Sequence, residues 1–292
     1  MKQRENGSLR HAAVAVAAML AVLGCSEPPQ SGPPSAAARR PATLPASRAG
    51  ELVERAIAAA GGRENWRRHR DASFIGTVTF FDAAGTASSE SMYLYRVLLH
   101  QGIKARLESV GLPDELVFGL NGPDWWMLRG GRPVDEGGRT VGTQFLAATM
   151  AYWFQLPFIL GEEGSQLSYE GPEVGEDKRW EKVRVAYGSG AGVPFEWLVF
   201  YFDAETGLID RLHCAVTAAF LRQPLWVGKW REYRDVGGIK RERRRAFYPA
   251  DRHGRMLGPV AAEQLIEHMR FDDEPPVEWF RKPLVTGPGD PT

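Results

Sequence analysis

Few residues in this chain have the chemistry of a reaction centre, and those that do lie far apart. The histidines beyond the N-terminal leader are His69, His100, His213, His253 and His268. No two stand at the His-x-x-x-His spacing that puts two imidazoles on one helix face, and there is no Cys–His cluster, so no metal site is expected. Gly188-Ser-Gly-Ala-Gly192 places its serine one residue too early for the Gly-x-Ser-x-Gly turn of a nucleophile. Its third glycine also misses the dinucleotide spacing, and the segment reads as a loop. Asp272-Asp273-Glu274 runs into Pro275-Pro276 and reads as an exposed turn rather than a cation site. Carboxylates can still converge from distant strands, as in glycosidases. A hydrolase therefore remains one reading, to be decided by whether acidic or histidine side chains meet in a cavity. No cofactor is expected.

One nucleophile does have a defined task. Lys2, Arg4 and Arg10 precede an uninterrupted apolar run, Ala12–Leu23, and Gly24-Cys25 follows directly. Twelve apolar residues fall short of the roughly 20 that span a bilayer, so residues 1–24 read as a signal peptide. The Gly24-Cys25 ending resembles the lipobox of bacterial lipoproteins, which implies that the Cys25 sulfur accepts a diacylglyceryl group and that two or more acyl chains make attachment durable. Cys214 is the other cysteine, left without a partner, and its apolar surroundings suit a small buried hydrophobe. Removing residues 1–24 takes away Lys2, Arg4, Arg10 and Glu5, so 36 basic and 36 acidic residues become a net charge of −2. Such a balance gives nucleic acid no bulk attraction.

Binding is better provided for than catalysis. Trp125, Trp126, Phe145, Met150, Trp153, Phe154, Phe158, Trp197, Phe200, Phe202, Trp226 and Trp230 fall on expected strands and on one apolar insert. They are the candidate lining of a cavity, since pockets are mostly apolar with a few polar groups; read singly, each is also an ordinary core residue. Lys240-Arg-Glu-Arg-Arg-Arg245 is the densest charge run. It suits a solvated edge strand, whose charges block aggregation, or a contact with lipid head groups.

The elements that must position these residues follow from periodicity. Residues 25–47, rich in Pro, Ser and Ala, form a disordered tether behind the lipidated cysteine. Arg48–Ala60 is apolar at helical spacing and stops at Gly61-Gly62. The period then becomes two. Phe74–Phe81, Ser91–Leu99, Gly102–Val110, Leu116–Leu120 and Trp125–Arg129 read as strands, the last two joined at Asn121-Gly122. Gly142–Leu160 interrupts them with an apolar helix that is buried or covers a cavity. Gln166–Tyr169, Trp180–Tyr187, Leu225–Tyr233, Ile239–Tyr248 and Ala261–Phe271 continue the strands. Between them, Trp197–Phe202 and Leu208–Val216 form a hairpin about Asp203-Ala-Glu-Thr-Gly207. Its first arm is apolar on both faces and must be covered on both. Its second arm sets Ile209, Arg211 and His213 opposite Leu208, Asp210, Leu212 and Cys214, so cover thins toward one edge. One continuous domain over residues 48–283 is expected, with a flexible tail at 284–292.

Four pieces of the chain carry a resemblance: Leu52–Trp66, the turn Asp203–Gly207, the segment Tyr233-Arg-Asp-Val-Gly-Gly238-Ile, and Ile266–Pro283. With the lipobox-like Gly24-Cys25 they resemble the LolA/LolB-like superfamily of bacterial envelope proteins, in particular its lipoproteins. The resemblance covers most of the mature chain through loose motifs. It implies an α+β fold, a large curved antiparallel sheet forming a half-open barrel with a few helices on its concave face and an apolar cavity between. It also implies that Ser26, following the cysteine, favours the outer membrane, with the domain facing the periplasm. The specific arginine of the periplasmic carrier and the protruding loop of the outer-membrane acceptor match no residue here. The expected function is that of a non-enzymatic, lipid-anchored protein that binds a lipid or other hydrophobic molecule, with a role in lipid or lipoprotein handling. The alternative is a scaffold lipoprotein with a filled core that binds an envelope protein through its surface.

Overall fold

In the computed structural model, which describes residues 47–111, 115–122, 124–134, 138–161, 165–187, 193, 195–216 and 223–283, the alternating segments form a 13-stranded antiparallel sheet. The strands are β1 (Asp71–Phe81), β2 (Ala87–Leu98), β3 (Lys104–Ser109), β4 (Leu116–Asn121), β5 (Asp124–Arg129) and β6 (Arg132–Pro133). After the insert come β7 (Ser165–Val174), β8 (Arg179–Tyr187), β9 (Phe195–Asp203), β10 (Ile209–Val216), β11 (Leu225–Val236), β12 (Ile239–Pro249) and β13 (Ala262–Phe271). Among the described residues three α-helices accompany them, α1 (Arg48–Ala59), α2 (Arg63–Arg68) and α3 (Gly138–Gln155), with a 3-10 turn at Val277–Phe280. The signal peptide, lipidated cysteine, most of the tether, the Gly188–Gly192 loop and the C-terminal tail lie outside the described residues.

Spatial order is β6-β5-β4-β3-β2-β1-β13-β12-β11-β10-β9-β8-β7. Each half is a meander, and the halves join where β13 pairs with β1 from Ala72↔Phe271 to Phe80↔Ala262. The two outer strands, β6 and β7, are consecutive in sequence and are linked through α3. The connection between these edges passes over one face of the sheet, where α3 packs against β3 and β4.

Side chains build that inner face as rows. Phe74, Tyr95, Leu107, Phe118 and Met127 lie directly opposite one another across β1 to β5. Val183, Phe200 and Leu212 continue a second row across β8 to β10, ending on Gly228 and Phe247. Gly228 is bare because a Cβ there would lie 2.4 Å from the Trp230 ring, which fills the position instead.

Two expectations need correction. The charge run does not lie on an edge: β12 is flanked by β11 and β13, and Arg241, Glu242 and Arg245 are all buried. Nor does β10 lie toward an edge. A register shift between Ile209 and Arg211 moves Ile209 to the inner side with Leu212 and Cys214, leaving Arg211 and His213 outside. A bulge changes parity within a strand, which a strict alternation cannot show.

The four resembling pieces meet at one corner. Ser47 caps α1 by accepting from the Gly50 amide, and Leu52, Val53, Ala56 and Ile57 turn inward. Arg55 donates to the carbonyls of Ala204 and Glu205 in the β9–β10 turn. That turn is folded by Asp203, whose carboxylate accepts the amides of Glu205 and Thr206. The end of α1 meets the β11–β12 turn, where the Lys240 amide donates to Ala60 at 2.9 Å. Trp66 of α2 and His69 after it pack on Phe271 at the end of β13.

Candidate functional site

The candidate site is the trough of the curved sheet, and α3 lies along it. Ala147, Met150, Ala151, Tyr152, Trp153 and Phe154 are buried around the whole circumference of the helix. Phe154 stacks on Phe74 at 4.8 Å, and Trp153 meets Phe195 at 4.5 Å and Trp230 at 5.5 Å. Phe158, just past the helix, stacks on Trp66 at 4.4 Å. At Gly76 of β1 a side chain would collide with Tyr95 at 2.7 Å and approach Met150 at 3.1 Å, so glycine lets the helix lie close. Fully burying each large apolar side chain here contributes about 1.5–3 kcal/mol.

The helix therefore fills the space that the sequence reading leaves for a ligand. A pocket beside it, between Ala56, Ala60, Leu156, Ile209, Trp230 and Arg241, has a volume of about 10 Å³. That is at most the room for one water.

Apolar packing is complete here, but polar pairing is not. Tyr95 Oη, Thr149 Oγ1, Trp153 Nε1, Trp230 Nε1 and Arg241 Nε are buried without a hydrogen-bond partner among the described residues. Each such group costs about 1–3 kcal/mol. Burial pushes the Tyr95 and Tyr233 hydroxyls upward in pKa, so both stay protonated.

The buried charges of β12 hold the C-terminal end of α3. Arg241 donates to the Leu156 carbonyl and, at 3.1 Å, to that of Trp153, and its guanidinium lies 4.9 Å from the Phe154 ring centre. Glu242 balances both arginines: Arg245 Nε donates to it at 2.8 Å and Arg241 at 3.3 Å. Arg245 also reaches Gln264 Oε1 at 3.1 Å. Its burial lowers the guanidinium pKa, and the Glu242 carboxylate pulls it back up. Helix carbonyls past the last turn lack intrahelical donors, so this guanidinium serves as a cap. No periodicity in the sequence reveals that role. The signal was the position of the run on a strand with strands on both sides.

The twelve lining candidates divide three ways. Met150, Trp153, Phe154, Phe158, Phe200, Phe202 and Trp230 meet in the trough. Trp125 and Trp226 are half-buried at its margin, and Phe145 is half-buried on α3. Trp126 and Trp197 face the other side of the sheet. Trp126 lies over Gly119, where a Cβ would be 2.0 Å away, and under Arg106. Trp197 is covered by Arg184 at 4.6 Å.

Nearby, Arg211 lies over both Trp180 and Tyr201, at 4.5 and 5.2 Å. The outer cover that β9 demands is thus supplied by arginine planes rather than a further layer. His213 sits among them, buried, and burial lowers its pKa. Cys214 is a free, buried thiol pushed up in pKa by burial, as a small hydrophobe would be.

Titratable groups do gather away from the trough. Asp71 is buried, which raises its pKa, while its carboxylate accepts the amides of Asp273 at 2.9 Å and Glu274 at 3.2 Å. Asp272 pairs with His69 Nδ1 at 2.8 Å and with the Arg70 amide, and Asp273 accepts from Ser73. The acidic triplet is exposed, as expected, and clasps the chain after β13 to the start of β1. Among the described residues no three His, Cys, Asp or Glu side chains are placed to hold a metal ion, and no helix is long and apolar enough to cross a membrane.

Comparison with solved structures follows this geometry. A LolA superfamily protein from Nitrosomonas europaea superposes with a TM-score of 0.51 at 13% identity, over 81% of this chain and 99% of that one. The fold is LolA-like. A DUF1329 family protein from Desulfovibrio piger superposes with a TM-score of 0.52 at 8% identity, over 80% of this chain and 97% of the other. No family model and no curated protein matches the sequence. The LolA-like sheet is open in this chain, with β6 and β7 as its unjoined edges.

Proposed function

We propose that this chain is a non-enzymatic, lipid-anchored protein of the bacterial envelope that binds a lipid or other hydrophobic molecule in the trough of its LolA-like sheet. In this reading α3 occupies the site until a ligand displaces it. The carrying observation is the contrast around the helix: its packing is filled with apolar and aromatic side chains, yet five buried polar atoms there lack partners among the described residues. A helix so placed is held by shape and by the Arg241 cap more than by a satisfied polar network. An uncharged acyl chain offers the sheet the same apolar contacts. The Gly24-Cys25 pair supplies the anchor, and Ser26 favours the outer membrane, facing the periplasm.

Full-length protein purified in mild detergent is expected to carry lipid in native mass spectrometry. Loading it with a fluorescent fatty acid is expected to speed amide exchange in residues 147–156 as α3 leaves the trough. A protein that stays empty, with α3 exchange unchanged, would overturn the proposal.

The second reading is a scaffold lipoprotein with a permanently filled core and an envelope partner on its surface. The 10 Å³ pocket favours it. A lipid-dependent rise in melting temperature would count against it.

A further inference from the structure

We infer that the seam between β12 and β13 is a second ligand site, one that takes the acidic head group of a small amphiphile. The pairing of these two strands covers only Arg244↔Leu265 to Phe247↔Ala262. Beyond it β12 stays paired to β11 as far as Ile239, and β13 stays paired to β1 as far as Phe271. Two strand edges therefore face each other without joining, and a cleft of about 290 Å³ opens between them. One wall bends at His268, a non-glycine residue in a left-handed conformation at φ 51°. Such conformations persist where the surroundings enforce them, often beside ligands.

The lining is two-natured. Ile266, Met269 and Val236 are apolar, and Arg234, Arg241, Arg243 and His268 bring donors. The carboxylates present are already engaged: Glu242 holds Arg245 and Arg241, and Glu267 holds Arg243. Arg234 and His268 stand exposed at the rim. Arg241 forms the floor at 2% exposure, with its Nε buried and without a partner among the described residues. A buried guanidinium whose Nε has no partner among the described residues, lining the same cleft as an exposed guanidinium, suits a carboxylate or a phosphate. The volume is at the small end for organic ligands, enough for a head group and the first part of a tail along Ile266 and Met269. Arg241 also lines the 10 Å³ pocket behind, so it stands between the seam and the trough. Only the tail rests on the hydrophobic-ligand reading; the head-group site stands on the seam alone.

The test uses the full-length chain in a neutral sugar detergent and calorimetric titration with octanoate, octyl phosphate, octanol and octyltrimethylammonium. Octanoate or octyl phosphate is expected to bind more tightly than the cation. Preference for the first points to a fatty-acid carboxylate, for the second to a phosphate head group. Arg234→Glu, at an exposed position, is expected to weaken the anion by about tenfold, about 1.4 kcal/mol, while leaving octanol unchanged; His268→Ala serves as a second rim variant. Equal binding of cation and anion, or an Arg234→Glu protein as tight as the parent, would overturn the inference. Neither result depends on whether α3 moves, which amide exchange reads separately.

Discussion

At Gly61 a side chain has nowhere to go. The residue has a φ of 118°, and a Cβ would lie 2.2 Å from the carbonyl oxygen of Gly238. Both penalties fall on Gly61→Ala, since an L-residue is disfavoured at this φ and two backbones must part. We expect a loss of about 2 kcal/mol or more, read as a lower denaturant midpoint with unchanged slope. His213 gives a residue-scale pH dependence. Its folded pKa lies below the ordinary 6.5 because burial among Trp197, Tyr201 and Gly254 disfavours the charged ring. Below pH 6.5 the unfolded chain therefore binds the proton more readily than the folded one, and stability falls as the pH drops through that window. Asp251, Arg184 and Glu170 also act on this ring, Arg184 lowering its pKa and the two acidic residues raising it. His213→Gln is expected to flatten this part of the melting-temperature profile between pH 7.5 and 5.5; an unchanged slope would assign the acid sensitivity elsewhere. The small-residue signals were legible beforehand: Gly61-Gly62 marks a helix end and Cys214 a core position. The partners of His213 were not, because Asp251 and Tyr201 reach it only through the folded sheet.

At the scale of elements, strand periodicity carried most of the information. The strands around Asn121-Gly122 and Asp203–Gly207 fall where alternation and turn residues put them, because those signals are local. Local signals fail where packing overrides them. Lys240–Arg245 reads as solvated from its charges alone, yet β12 is interior, and three of the six side chains are buried to serve α3 and one another. Trp126 and Trp197 read as lining because aromatics favour interiors, whereas arginine planes bury them on the outer side. The same coupling sets an element-scale prediction. Replacing Arg241 by Met keeps the volume but removes the donors to Leu156 and Trp153, leaving Glu242 to Arg245 alone. Leaving those carbonyls unpaired should cost about 2–4 kcal/mol. Amide exchange is expected to rise in residues 150–156 before it rises in β1 and β2, separating a loosened helix from a loosened fold. If α3 and the sheet gain exchange together, the helix is one cooperative unit with the core and cannot leave it singly.

The proposed lipid anchor belongs to the scale of the whole molecule, and its two cysteines test it. Cys25 follows a basic and then apolar N-terminal run, while Cys214 is buried in β10. A thiol must be reachable and ionisable to accept an acyl group; burial raises the pKa of Cys214 and hides it. Cells fed radiolabelled palmitate are therefore expected to label the parent and Cys214→Ala chains equally. The Cys25→Ala chain should take up none, although its uncut leader can still hold it at a membrane. Label, rather than fractionation, is thus the deciding measurement. In the proposed reading, attachment by two or more acyl chains is stable where a single chain would be marginal, because each buried CH₂ adds about 0.8 kcal/mol. With that anchor in place, the trough would stay near a lipid surface, and encounter with a hydrophobic ligand would become a local event whose frequency depends on the length of residues 26–47. Label on Cys25→Ala, or none on the parent, would remove the anchor and with it that proximity, leaving the LolA-like trough to meet its ligand from solution.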